Sequence, residues 1–209
     1  MFSSLLRRRG RRRPARGQPP PRFRPRVEPL EDRVLLSHSP LGPEFLANLN
    51  PAVGFAPAAV VASDAAGDIV VAWTSASEGS FGDVRARLFD PAGNPRGGEI
   101  DVSGGPVFAP TTIDVAMDAA GDFVITWSSY GQDGSGWGVY AQRYNAAGVA
   151  QGGEFRVNTT TTGDQANPAV AMTPVGAFVV TWDSPDGSYD GVFAQRYALS
   201  QLSRLGRLP

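Results

Sequence analysis

Gly121-Asp122-Phe123-Val124-Ile125-Thr126-Trp127 decides how this chain is read, because a version of it occurs three times. It stands upstream as Gly67-Asp68-Ile69-Val70-Val71-Ala72-Trp73 and downstream as Gly176-Ala177-Phe178-Val179-Val180-Thr181-Trp182, with the tryptophans 54 and 55 residues apart. Self-similarity at a fixed period marks a repeat architecture, in which one supersecondary unit is copied and stacked on itself. Two further strings keep the same period. Val84-Arg85-Ala86-Arg87-Leu88-Phe89 matches Val139-Tyr140-Ala141-Gln142-Arg143-Tyr144 and Val192-Phe193-Ala194-Gln195-Arg196-Tyr197. Gly98-Glu99-Ile100-Asp101-Val102 matches Gly153-Glu154-Phe155-Arg156-Val157 and Pro43-Glu44-Phe45-Leu46-Ala47, so that Glu44, Glu99 and Glu154 are spaced 55 and 55.

Each repeat parses into four short strands, which in the second repeat are residues 112–117, 123–128, 139–144 and 153–158. The second strand is apolar without interruption, as expected of a strand covered on both faces. The third alternates, with Tyr140, Gln142 and Tyr144 on one face and Val139, Ala141 and Arg143 on the other. Asp64-Ala65-Ala66-Gly67, Asp118-Ala119-Ala120-Gly121 and Thr173-Pro174-Val175-Gly176 each place a side-chain acceptor at a turn start and Gly where a left-handed residue is wanted. Asp90-Pro91-Ala92-Gly93 and Asn145-Ala146-Ala147-Gly148 do the same between the third and fourth strands. These are type I turns closed by a glycine bulge, a common hairpin connection.

The predicted fold is therefore all-β. About three four-stranded antiparallel meanders, resembling propeller blades and repeating every 55 residues or so, fill residues 41–197 after a disordered Arg/Pro-rich segment, 1–40. Residues 198–209 read as an irregular tail, since Gln201 stands where Gly93 and Gly148 stand in the other repeats. A lone fourth strand at 44–48 would supply the strand missing from the third repeat. About four blades are the lower limit for ring closure, so three predict self-association into a ring, a shortened array, or open stacking. The strings 121–127, 139–145 and 152–159 also resemble repeats of long bacterial surface and secreted proteins, which implies an extracellular repeat protein.

Composition narrows the chemistry. The chain has no Cys and no Lys, and its one His is His38, which removes disulfide scaffolds, thiol enzymes, Cys-ligated zinc and imidazole catalysis in the body of the protein. Its net charge of -1 conceals a split, 11 Arg against three acids in residues 1–40 and 8 Arg against 17 acids thereafter. The run Arg7-Arg8-Arg9-Gly10-Arg11-Arg12-Arg13, followed by Pro14, Pro19, Pro20, Pro21, Pro25 and Pro29, lacks the apolar surface to offset its chain entropy. Clustered Arg suits phosphate contact. Targeting is the plainer reading, and no specific nucleic acid is expected.

Met1-Phe2-Ser3-Ser4-Leu5-Leu6 is too short for the apolar core of a secretory signal, roughly 7 to 15 residues, and no run reaches the roughly 18 that a membrane span needs. Residues 26–37, Arg26-Val27-Glu28-Pro29-Leu30-Glu31-Asp32-Arg33-Val34-Leu35-Leu36-Ser37, resemble the LEPR-XLL amino-terminal segments that precede large exported or surface proteins in some bacteria. Leu30, Glu31, Asp32, Arg33, Leu35 and Leu36 carry the likeness, with Asp32 where the family has Pro. The resemblance implies export to the cell surface or beyond. Read without it, Leu30, Val34 and Leu35 fall at helical spacing and suit one short amphipathic turn.

Candidate binding residues lie in the connections between second and third strands, residues 75–83, 129–138 and 184–191, where a blade scaffold presents its loops. Glu78, Asp83, Asp133, Asp186 and Asp190 suggest calcium as the one cofactor to consider. Calcium takes about six to eight oxygens, and Gly/Asp-rich turns account for the same residues. Trp137 and Tyr189, flanked by Gly and Asp, suit stacking on the sugar rings of surface glycans; packing against a neighbouring blade is the alternative. Trp73, Trp127 and Trp182 recur at one strand position and belong to the core, and residues 159–164 read as a solvated connection. No phosphate loop, nucleophile elbow or symmetry-breaking carboxylate pair supports an enzyme, glycoside hydrolases included.

Overall fold

In the computed structural model, residues 39–49, 58–76, 81–103, 107–108, 112–185 and 190–198 are described, nearly all within one unit of the chain, Pro40–Pro209. The sorting-type string and the Arg-rich run lie outside them, as do residues 199–209. The described residues hold twelve strands and no helix, and so no helix long and apolar enough to cross a membrane.

The strands form three antiparallel sheets, each a meander in chain order. The first contains β1 (Ala59–Ser63), β2 (Ile69–Ala76), β3 (Phe81–Phe89) and β4 (Ile100–Asp101), with β5 (Val107–Phe108) added at the start of β3. The second contains β6 (Ile113–Met117), β7 (Phe123–Tyr130), β8 (Trp137–Tyr144) and β9 (Phe155–Arg156). The third is β10 (Ala166–Met172), β11 (Phe178–Pro185) and β12 (Asp190–Tyr197). The repeat reading is met sheet by sheet, and β5 is an addition that no repeat string announced.

The turns form as their residues require. Asp118 Oδ1 accepts hydrogen bonds from the amides of Ala120, 2.8 Å, and Asp122, 3.0 Å, and Gly121 takes φ 89°. Asp64 repeats this with Ala66 and Asp68, and Gly67 has φ 89°. The strands these turns join are zipped by aromatic cross-strand pairs. Phe123 stacks on Tyr144 at 4.9 Å and Trp127 on Tyr140 at 6.5 Å; in the third sheet the same positions are Phe178 on Tyr197 at 4.7 Å and Trp182 on Phe193 at 6.2 Å.

The second sheet is covered on both faces. One face, carrying Phe123, Ile125, Trp127, Tyr140 and Tyr144, packs on Val70, Val84 and Leu88 of the first sheet. The other, carrying Val124, Val139 and Ala141, packs on Phe178, Val180 and Trp182 of the third. The partition of β8 between Tyr and Val/Ala faces is the one its alternation predicts, and β7 is buried along all but its last residue. The inner strands adjoin as well: Asp114 of β6, where the other repeats have Val60 and Ala169, accepts the Val170 amide of β10 at 2.7 Å. Beside that contact β10 carries a bulge, with Asn167 at φ 54°.

Three expectations need correction. The second and third strands run further than expected, because the ladder continues through Ser128↔Val139, Ser129↔Gly138 and Tyr130↔Trp137. Ser128 and Ser129 are buried despite their polarity, the former bonded to Thr112 at 2.7 Å. The fourth strands are only two residues long, since after Phe155↔Ala141 and Tyr140↔Arg156 the ladder passes to a side chain, the Asn158 carboxamide accepting from the Val139 amide at 2.8 Å. Residues 44–48 form no strand and lie against the first sheet rather than the third: Phe45 sits 5.1 Å from Phe89, and Arg87 donates to the Ala47 carbonyl at 3.3 Å.

Gly148 and Gly152 separate backbone strain from packing. Both have positive φ, 74° and 82°, but a Cβ on Gly148 would lie 2.8 Å from Ile100 Cδ1 of the neighbouring sheet while one on Gly152 would meet nothing within 4 Å. Gly152→Ala is expected to lose about 1–2 kcal/mol of stability from its backbone alone, and Gly148→Ala about 1 kcal/mol more from overpacking, measured side by side by chemical denaturation.

Candidate functional site

Of the three connections between second and third strands, the one that joins β7 to β8 is described in full. Residues 131–136 close it, with the Gly131 amide donating to the Gly136 carbonyl at 2.8 Å and Gly131 and Gly134 in the left-handed region. Asp133 Oδ1 accepts from the Ser135 amide at 3.1 Å, which fixes the tip as an Asx turn. Its other oxygen, Oδ2, turns inward over Gly138, where a Cβ would stand 3.0 Å from it and 3.2 Å from the Tyr140 ring. Asp133 Oδ2 is enclosed and has no hydrogen-bond partner among the described residues.

Two groups flank the tip. Gln132 bonds the carboxylate of Glu154, and Asp164, on the connection to the third sheet, accepts from the Trp137 amide at 3.0 Å. Gly136 is glycine because Asp164 Oδ1 occupies the place its Cβ would take. Residues 159–164 of that connection are exposed or half-buried, as a solvated linker should be, and its two ends are pinned. Asn158 and Gln165 are buried and bonded to each other at 3.0 Å, and the Gln165 amide donates to the Trp137 carbonyl at 2.7 Å.

The predicted site residues separate as follows. Asp133 stands in the tip, as expected. Trp137 does not lie in a loop; it opens β8, is half-buried, and meets Tyr130 edge to face at 5.5 Å. Asp83 lies within β3 and pairs with Arg85 at 3.0 Å, whose guanidinium it holds above its usual pKa. Asp190 opens β12 and is exposed. Glu78, Asp186 and Tyr189 lie outside the described residues. Asp133 and Trp137 share one hairpin, whereas Asp83, Asp133 and Asp190 belong to three different sheets. Among the described residues no three His, Cys, Asp or Glu side chains come together to hold a metal ion.

Tyr130, 49% exposed, is a site residue that belongs to none of the recurring strings. Its signal is a break in the repeat, since Ala76 and Pro185 hold the same position. An open groove of about 320 Å³ runs along the junction of the first and second sheets, lined by Ile100, Asp101, Ser103, Gln142, Tyr144 and Glu154. Burial raises the Glu154 pKa, opposed by the Gln132 hydrogen bond. It also raises Tyr144, aided by the charges of Asp101 and Glu154. Burial first and the Asp133 charge second push Tyr140 up to about 12, against the lowering influence of Arg156. At neutral pH these phenols are hydrogen-bond donors, not bases.

No protein-family model matches the chain, and no curated protein matches it by sequence. Solved structures similar to it include an endo-arabinase from Bacteroides thetaiotaomicron VPI-5482, 13% identical with a TM-score of 0.43, the match covering 66% of this chain and 54% of that one. A protein of unknown function from Dyadobacter fermentans DSM 18053 is 16% identical with a TM-score of 0.46, covering 68% of this chain and 38% of that one. The chain thus spans about half, and under two fifths, of these two structures. The class that the fold defines is an all-β protein of stacked, blade-like antiparallel repeats.

The raised phenols carry a pH dependence of known sign. A group whose folded pKa lies above its unfolded value stabilises the fold fully below the unfolded pKa and loses that contribution as pH rises through the folded one. Stability is therefore expected to fall between about pH 10 and, for Tyr140, about 12. Tyr140→Phe should flatten part of that fall in an alkaline denaturation series while leaving the profile near neutrality unchanged in shape.

Proposed function

We propose that the chain is a non-enzymatic, exported or cell-surface β-repeat protein whose blades serve as a structural or adhesive module. One observation carries the reading: the polar side chains that recur from repeat to repeat are engaged in building the repeat. Asp64 and Asp118 organise their turns, Asp68 pairs with Arg96, and Asp122 accepts the Ala146 amide of the next turn at 3.0 Å. Asp90 and Asn145 close the turns between third and fourth strands, at 2.9 and 3.1 Å to the amides two residues on. Residues that vary, such as Tyr130 and Gln132, sit at hairpin tips, which is how a scaffold displays contact surface. The LEPR-XLL-type string supplies the export half of the proposal. Labelling intact cells with an antibody to the repeats, or shaving them with protease, is expected to detect the protein at the surface; finding it only in the cytosol would overturn that half.

A lectin-like reading rests on the tip of the β7–β8 hairpin. Tyr130 is exposed and braced edge to face by Trp137, an aromatic face that suits stacking on a sugar ring. On a glycan array this reading expects retained ligands whose signal drops at least about tenfold in Tyr130→Ala, the loss of one stacking contact of about 1.4 kcal/mol. A blank array, with and without calcium, would remove it.

A further inference from the structure

The three sheets are not equivalent at their outer edges. Val84, Val139 and Val192 occupy one repeat position, yet Val84 and Val139 are each 0% exposed and Val192 is 79% exposed. Ala86 and Ala141 are buried while Ala194 is exposed, and Phe193 is exposed where Tyr140 is buried. Two neighbours make the difference. The side chains of Val84 and Val139 are packed between their own sheet and the next one, and the strand edges that carry them are closed by the chain just past β4 and β9, where Val102 and Val157 each donate an amide to the valine carbonyl at 2.8 Å. The side chains of Ser103, at 3.3 Å, and Asn158, at 2.8 Å, accept the valine amides. Among the described residues nothing pairs with the corresponding edge of β12.

The chain also carries a fourth-strand sequence that joins no sheet among the described residues. Residues 44–48, Glu-Phe-Leu-Ala-Asn, fall in register with Glu99-Ile100-Asp101-Val102-Ser103 and Glu154-Phe155-Arg156-Val157-Asn158. They already stand where the fourth strand of a preceding repeat would stand. Phe45 packs on Phe89 and lies 3.0 Å from the Cβ position of Gly93; Ile100 lies 2.8 Å from that of Gly148, and Phe155 packs on Tyr197 at 5.4 Å. The contact made by each fourth strand on the following sheet is thus present at the first sheet, with no sheet among the described residues to own the strand. Phe45, Leu46 and Leu49 remain more than half exposed.

We infer that the bare edge of β12 is completed by residues 44–48 of a second copy of this chain, which add the fourth strand of the third sheet. The register follows from the first two sheets. Arg85↔Asp101 with Ala86↔Ile100, and Tyr140↔Arg156 with Ala141↔Phe155, place Leu46 opposite Phe193 and Phe45 opposite Ala194. Ala47 then donates to Val192 as Val102 and Val157 do to their valines. The Phe45 that the partner keeps on its own Phe89 brings the partner's first sheet onto the third sheet of this chain. The contact is heterologous, one end of the array on the other, and such contacts close into rings when the rotation allows. Two chains joined at both ends hold six sheets, within the range of about four to eight at which blades close. The inference goes beyond the surface-protein reading and does not depend on it.

The chain has no cysteine of its own, so a disulfide reports the register directly. Mixing full-length Leu46→Cys with full-length Phe193→Cys under mild oxidation is expected to yield a covalent two-chain product. Leu41→Cys with Phe193→Cys serves as the control that does not cross-link. Light scattering on the unmodified protein should give a dimer. Val192→Lys, at a position exposed in the single chain and thus harmless to its fold, should raise the dissociation constant about 100-fold or more by placing a charge on the new strand interface. A monomer at every concentration would overturn the inference, as would a Leu46–Phe193 disulfide formed within one doubly substituted chain, or association that leaves the two positions uncrosslinked.

Discussion

A strand that is apolar on both sides must be covered on both sides, and β7 is such a strand, buried from Phe123 to Ser129. One antiparallel meander cannot meet that demand, because a single sheet always leaves one face to water. Burying each of Phe123, Val124 and Ile125 stabilises the fold by roughly 1.5–3 kcal/mol, and the whole gain is available only when a neighbouring sheet lies on either side. The stacking of the three sheets, the two apolar clusters between them and the bare state of the last edge all follow from this requirement. Among the described residues the second sheet alone has a neighbour on each face, and its β8 is correspondingly more buried than β12.

Once stacking is required, the polar residues are largely allocated by backbone bookkeeping. Every hairpin turn strands amides that need acceptors, and Asp64, Asp90, Asp118, Asn145 and Thr173 provide them within their own turns. The acids that recur from repeat to repeat are therefore committed to the backbone before any ligand arrives. The exceptions are those that break the repeat. Asp114 replaces an apolar residue of the inner strand and ties β6 to β10, and Asp133 aims one oxygen into an enclosed place beside Tyr140 without a partner among the described residues.

Legibility in the sequence varied with the range of the interaction that decides each feature. Turn type, strand order and the face alternation of β8 could be read because they depend on residues within a few positions of one another. The ends of strands could not. Ser129, Tyr130, Trp137 and Gly138 read as loop by composition, but the ladder continues through Ser129↔Gly138 until Tyr130 meets Trp137, which turned an anticipated exposed tryptophan into a half-buried cross-strand partner. Asp83 was misplaced for the same reason, its pairing with Ser75 being a matter of strand register, while its ion pair with Arg85, two residues along the same strand and face, follows from β3 reaching back to Phe81. Tyr130, for its part, was visible only as a departure from Ala76 and Pro185, a signal that gains meaning when the position is known to sit at a hairpin tip.

The sequence by itself determined an all-β chain of three turn-punctuated meanders, because a period of 54 or 55 residues and Gly at left-handed turn positions are local facts. It also determined which tryptophans are core. Only the tertiary structure decided where residues 44–48 lie, how short the fourth strands are, and that Val139 and Val192 share a repeat position yet not an environment. Those outcomes depend on what packs against an edge from far along the chain. A repeat written identically in sequence is buried or bare according to its neighbours, and hydrophobic burial, being a property of two surfaces, has no signature in either surface alone.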